Sequence, residues 1–277
     1  MLVNARRLIR KLRGGAQAHL LECDDNRFYV VKFRNNPQHR RILVNEWIAA
    51  VFLRHLQISS PATAIVNLSQ EFLDANPDLH MQLGTRRLQP DPGWHFGSCH
   101  PGDPSRMSVY DFIPDVLLEK VVNLNEFLGV FVFDKWMGNA DARQSIFFRA
   151  RIRDWTSAPG VHPNKQGFVA QMMDHGYIFD GPHWNFSDSP LQGLYFRPMV
   201  YGGVKSFQDF QPWLDQVVNF PEEIVDDALK QIPPQWLEGD ETALEALLTK
   251  LMSRRKRVPD LLRDCCAGRI SPFPNWK

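Results

Sequence analysis

Long apolar runs are missing from this chain. No stretch approaches the roughly 18–20 apolar residues that a membrane helix needs, so a membrane-spanning helix is not expected. A secretory pattern is missing as well. Met1 to Arg13 is basic but leads into Gly14-Gly15-Ala16-Gln17, with no apolar stretch or small-residue cleavage site. The expectation is a cytoplasmic protein without a membrane partner. Cysteine is scarce: Cys23 and Cys99 stand alone, Cys265 and Cys266 are adjacent, and no CxxC pair occurs. That spacing argues against a zinc site or redox dithiol and for structural thiols. Charge of one sign is not in excess. With 32 basic and 31 acidic residues the formal net charge is +1, which supplies no whole-molecule drive toward nucleic acid or anionic lipid. Internal repeats and low-complexity tracts are absent. So are the Gly-X-Ser-X-Gly elbow, the His-Glu-X-X-His helix, and a Gly-Lys-Ser/Thr sequence after the early glycines, which removes local support for the corresponding hydrolases and for a Walker A loop.

What is present is an ordinary globular composition, 44% hydrophobic and 23% charged over 277 residues. Such a length allows one large domain or two lobes sharing a site. Ala18 to Cys23 and Phe28 to Phe33 have strand character, and Asp24-Asp25-Asn26 between them has turn chemistry, so a hairpin is expected. Arg40 to Leu56 has apolar residues close to helical spacing, and Ala62 to Leu68 returns to strand. Asp91 to Arg106 is dense in Pro and Gly and reads as a loop. Leu117 to Trp136 reads as helix, and Phe147-Phe148 and Val169 to Met173 as short strands flanking a polar excursion from Asp154 to Gln166. The last third reads as helices over Phe210–Val218, Glu222–Gln231 and Glu241–Arg257. Arg254-Arg255-Lys256-Arg257 then complements the macrodipole of its own helix.

Four features fall in a fixed order. Gly14-Gly15-Ala16-Gln17 precedes a strand, and small residues let backbone amides approach an anion. Lys32 sits in the apolar strand Val30-Val31-Lys32-Phe33; it either faces water or has a partner, since burying an ammonium alone costs several kcal/mol. Glu46, on the expected helix, is the candidate partner. Asp134, Asn139, Asp141, Arg143 and Gln144 crowd the segment between an apolar helix and an apolar strand, more polar groups than a turn requires. Finally Asp174-His175-Gly176 follows an apolar strand. Its carboxylate suits a hard cation, the glycine is expected to permit a sharp turn, and His175 to shape that turn. Two tempting groups point elsewhere. Trp94 to His100 fits a loop over substrate better than zinc, and Trp184, Trp213, Trp236 and Trp276 fit packing anchors better than stacking platforms.

Taken jointly, Gly14-Gly15-Ala16-Gln17-Ala18-His19, Tyr29-Val30-Val31-Lys32-Phe33, Asn45-Glu46, Asn139-Ala140-Asp141 and Asp174-His175-Gly176 resemble the HipA-like kinases. The resemblance covers about residues 10–180. It implies an α+β, protein-kinase-like two-lobed fold: a β-rich N-lobe with one helix over residues 1–112 and a mainly helical C-lobe over 113–277. It implies transfer of the γ-phosphate of ATP with Mg²⁺, to a hydroxyl acceptor such as a protein Ser/Thr or a small molecule. Gly14, Gly15, Ala16, Gln17 and Lys32 would bind the nucleotide, Glu46 would orient Lys32, Asp141 would be the base, and Asp174 would hold metal. Met107–Asp111 would form the hinge beside adenine. The family is often linked to antitoxin partners, though no element here supports one. Two departures stand out. Position 146, where related sites carry a metal-binding Asn, is Ile; Gln144 or Asn139 would have to substitute. In a second register Asp134 is the base and Asn139 the metal ligand. The missing Asn also leaves open a nucleotide-binding regulator without turnover.

Overall fold

In the computed structural model the described residues are 1–155, 164–267 and 271–277. The basic N-terminal segment, which composition leaves without an element, is strand β1 (Leu2–Lys11). It is followed by β2 (His19–Cys23), β3 (Phe28–Lys32), helix α1 (Arg41–His55), β4 (Thr63–Leu68), α2 (Gln70–Ala75), the small hairpin β5 (Met81–Leu83) and β6 (Arg86–Leu88), and β7 (Gly93–Cys99). The expected hairpin is β2–β3, antiparallel, with Asn26 left-handed in its turn.

Five of these strands close into a barrel in the order β1-β2-β3-β7-β4, with β1 and β4 parallel. A kinase-like N-lobe with one helix does not by itself imply closure, and this segment holds two helices. Closure follows from β1, whose pairing with β2 shifts register between Ala5 and Arg7 and again between Leu8 and Arg10. Such bulges bend and twist a strand, so one strand reaches both β2 and β4. Alternation supplies the filling: Ala64, Val66 and Leu68 of β4 point inward with Leu21, Val31 and Phe33.

The loop expected over Asp91–Arg106 is corrected by β7, which pairs with β3 on one side and β4 on the other. The Pro and Gly residues that suggested a loop flank it, apart from Gly93 at its start and Gly97 within it. A Cβ at Gly97 would stand 2.6 Å from Val66 Cγ2, so this glycine serves close strand packing. His95 is buried inside. Its Nδ1 accepts from the Arg34 amide at 2.9 Å, so Nε2 donates to the Asp91 carbonyl, also at 2.9 Å. Among the described residues no cluster of three potential metal ligands occurs.

The second part comprises β8 (Val109–Tyr110), α3 (Asp115–Leu118), α4 (Glu126–Met137), β9 (Gln144–Arg151), β10 (Gln166–Met173), α5 (Trp213–Val218), α6 (Glu222–Lys230), α7 (Pro234–Leu237), α8 (Glu241–Arg254) and α9 (Val258–Ala267). The single helix expected over Leu117–Trp136 is broken, because the chain between α3 and α4 docks on β10. Val121 bridges to Phe168, and the Asn123 amide exchanges two hydrogen bonds with the Ala170 backbone, both 2.9 Å. β8, β9 and β10 form an antiparallel sheet. The excursion expected over Asp154–Gln166 lies largely outside the described residues.

Helix α1 is buried on nearly every side and shares one core with α4 and α6, while the barrel interior is a separate core. A helix apolar all round belongs between layers rather than on a surface. Trp184, Trp213 and Trp236 are buried in the shared core and Trp276 packs against it. The four cysteines are free thiols. Among the described residues no helix is long and apolar enough to cross a membrane. The basic run at the end of α8 works differently from expectation. Arg254 is buried and donates from Nε to the Trp136 carbonyl at 2.9 Å and from its Nη2 to Lys135 at 3.1 Å, while pairing with Asp188. It thus satisfies the terminal carbonyls of α4, not those of its own helix.

Candidate active site

Lys32 ends β3 and turns into the space between barrel and helical part. It is buried, ion-paired with Glu46 of α1 and, at 2.7 Å, with Asp174 just beyond β10. The reading in which Lys32 faces water is removed. Two carboxylates share one ammonium. Burial opposes the charge on Lys32, but Asp174 and Glu46 outweigh it and hold the pKa above the ordinary lysine value. Burial raises the Glu46 pKa against the pull of Lys32, whereas Lys32 holds Asp174 below the usual carboxylate range.

Asp174 itself is left-handed, with φ +58°. The sharp backbone step expected at Gly176 therefore falls on the aspartate. Gly176 has another role: a Cβ there would meet Ile42 Cγ2 of α1 at 2.5 Å. The loop is held to α1 by Asn45, whose amide donates to the carbonyls of Gly176, Ile178 and Gly181 at 2.7–3.1 Å and whose oxygen accepts from Trp184 Nε1. One helix thereby carries both Glu46 and the strap that fixes the Asp174 loop.

The polar loop begins where α4 ends at Gly138, left-handed at φ +60°. Asp134, on the last turn of α4, is fully buried. It accepts from Arg143 Nε at 2.8 Å, from a second Arg143 nitrogen, and from the Asn139 amide at 3.0 Å. Arg143 also donates to the Met173 carbonyl and to His175 Nδ1, each at 2.9 Å. Because arginine only donates, His175 Nδ1 is the acceptor and Nε2–H faces the Met172 carbonyl. Burial, with Arg143 adding to it, keeps this imidazole neutral, its pKa well below the ordinary value.

The two candidate bases sit in different surroundings. Asp134 is sealed inside and spent on Arg143, while Asp141 is exposed and lines the cleft. Asn139 is likewise corrected as a metal ligand. It is buried off the cleft, its amide on Asp134 and its oxygen accepting the Asp141 amide at 3.1 Å. Gln144 lines the cleft and pairs in register with Met173, the residue before Asp174.

The cleft measures about 810 Å³, within the usual size range of ligand sites. Gly14, Gly15, Ala16 and Gln17 stand along one rim. The Gln17 side chain is committed elsewhere, to Lys11 and to the Gln82 backbone, and its amide closes a turn onto Gly14. What this loop offers is backbone: among the described residues the amides of Gly15 and Ala16 carry no hydrogen bond. Ser98, Cys99, His100 and Pro101, at the end of β7, line the cleft together with Val109 and Asp111, whereas Met107 does not. Of the segment Met107–Asp111, expected beside adenine, Val109 and Asp111 therefore border the cleft.

A family model described as HipA-like kinase matches residues 6–148. The chain belongs to the HipA-like kinase family. No curated protein matches it. Among solved structures, a crystal structure of the Golgi casein kinase shares 11% identity over 96% of this chain and 74% of its own, with a TM-score of 0.52, a likeness of kinase-like fold. A second structure, of the Golgi casein kinase with Mn/ADP bound, gives 12% identity over 96% and 73% with a TM-score of 0.48. The sequence pattern names Arg143, His175 and Asn45 but not what they hold: Arg143 reaches the Met173 carbonyl and His175, and Asn45 reaches the carbonyls of Gly176, Ile178 and Gly181. These partners lie 30 to 136 residues away, so no local pattern announces them.

Proposed function

We propose that this chain transfers the γ-phosphate of ATP to a Ser/Thr hydroxyl of a protein. One observation carries the reading: Lys32, buried at the back of the cleft, is shared between Glu46 and Asp174, and Arg143 ties the loop bearing Asp141 to the strand bearing Asp174. Glu46 keeps the ammonium aimed into the cleft, where it engages nucleotide phosphate. The amides of Gly15 and Ala16 suit phosphate oxygens from the opposite rim.

The donor set fits a divalent cation held jointly with a nucleotide. Two carboxylates against one ammonium leave an excess negative charge, and Asp174 with Gln144 supplies one or two hard oxygens, the number Mg²⁺ takes from protein when phosphates provide the rest. Bound there, the cation would neutralise charge developing on the phosphate oxygens. Asp141 accepts the proton of the acceptor hydroxyl; the acceptor oxygen bonds to the γ-phosphorus, the bond to the β-bridging oxygen breaks, and ADP leaves.

Incubation with Mg-ATP and protein acceptors, followed by mass measurement of all products, tests this. Wild type should add the mass of one phosphate per modified hydroxyl and Asp141→Asn should not. A second reading, a nucleotide-binding regulator, is favoured by Ile146, an apolar side chain on the cleft wall where a metal-binding amide would stand. Tight Mg-ATP binding without ADP formation by wild type would select it.

A further inference from the structure

Four large apolar side chains are exposed on two segments that border the cleft. Phe196 is 70% exposed, Phe112 63%, Val116 65% and Tyr110 45%. Two of them adjoin cleft residues in the chain: Phe112 follows Asp111 and Phe196 follows Tyr195, and Asp111 and Tyr195 both line the cleft. Arg197 fastens the two segments. Its guanidinium lies 4.4 Å from the Phe112 ring centre, donates to the Ile113 carbonyl at 3.1 Å and pairs with Asp115. The patch is therefore held rigid before any partner arrives, which lowers the entropy lost on binding. The cation that anchors it is already neutralised by Asp115, whereas Asp111, between patch and cleft, has no ion pair among the described residues.

Large aromatics left exposed beside a cleft are candidates for an interaction site. A small polar acceptor has no use for an aromatic shelf beside the opening. Resting on the kinase reading above, we infer that the acceptor is an extended polypeptide segment, whose Ser/Thr is accompanied by a large apolar side chain seated on Phe112 and Phe196 and by a basic side chain facing Asp111.

The test offers a degenerate peptide library with a central Ser or Thr, and separately glycerol and free serine, to the full chain with Mg-ATP. Labelled peptides should be enriched in Leu, Phe or Met and in Arg or Lys near the central residue. For the best peptide, Phe196→Ser and Phe112→Ser should each raise KM about tenfold, the scale of losing one anchor contact, with Mg-ATP affinity unchanged. Asp111→Asn should erase the basic preference. Wild-type KM for peptide in Phe196→Ser, a library labelled without apolar preference, or labelling of glycerol or serine alone would overturn the inference. So would a wild-type dimer that Phe196→Ser converts to monomer, since the patch would then be a self-interface. Mg-ATP binding with no labelled peptide overturns this inference and spares the binding site; no Mg-ATP binding defeats the kinase reading itself.

Discussion

Two clusters of buried charge face each other across the Asp174 strand, and they are built on different principles. Around Arg143, one guanidinium meets one carboxylate, and four of its five N–H donors are used, on Asp134, Met173 and His175, with Asn139 also donating to Asp134. Around Lys32, one ammonium meets two carboxylates, and the cluster opens onto the cleft. A nearly saturated pair whose charges cancel has little left to bind and holds geometry. An unbalanced one has charge to offer a cation and a phosphate. The comparison teaches where to look for chemistry in this chain: not in the most buried ion pair but in the one whose charges do not cancel.

The largest expected effect separates the two aspartates of the polar loop. Asp141→Asn should lower transfer by about 10²–10⁴-fold, the usual range for a positioned acid–base group, with the melting temperature almost unmoved because Asp141 is exposed. Asp134→Ala should do the reverse in kind: leaving the Arg143 guanidinium buried without its carboxylate should cost about 3–5 kcal/mol of stability, read in a denaturant titration. If Asp134→Ala melts like wild type, the saturated cluster is not holding the loop.

The unbalanced cluster predicts coupling. Lys32→Ala and Glu46→Ala should each reduce transfer, and the double variant should lose less than the sum, with a coupling of about 0.5–3 kcal/mol. Strict additivity would mean that α1 does not aim the lysine. A smaller effect belongs to acid. Burial lowers the His95 pKa to about 4 and holds that of His175 well below the ordinary value. Their folded pKa values lie below the unfolded one, so the stability they contribute is complete above about pH 6.5 and is lost as pH falls toward the folded values. Melting temperature should fall across that window, and His95→Asn should show a shallower slope. An identical slope would remove His95 from the acid response.

The sequence made parts of this legible and hid others for physical reasons. Lys32, Glu46, Asp141 and Asp174 stand out because a charge beside an apolar strand or helix is a local anomaly. Arg143, His175 and Asn45 are visible in the sequence, but what each holds is not, because partners such as Met173 and Gly181 are distant along the chain. β7 was masked because the Pro and Gly flanking it outweigh the short run Trp94–Phe96 in composition, and because Gly97 is there for packing against Val66. Closure of the barrel rests on bulges in β1, which no side-chain pattern announces. Arg254 was assigned to the wrong helix end for the same reason: a basic residue at a C-terminus can serve whichever carbonyls it reaches, and those are on α4.

The central claim is that the charge left over at Asp174 holds a metal for the nucleotide. Titration of ATP with and without Mg²⁺, on wild type and on Asp174→Asn, tests it most directly. The carboxylate-to-amide change keeps size and removes the charge. Wild type should bind ATP more tightly with Mg²⁺, and Asp174→Asn should lose that dependence while melting as a folded protein. The same Mg²⁺ dependence in both would contradict the account.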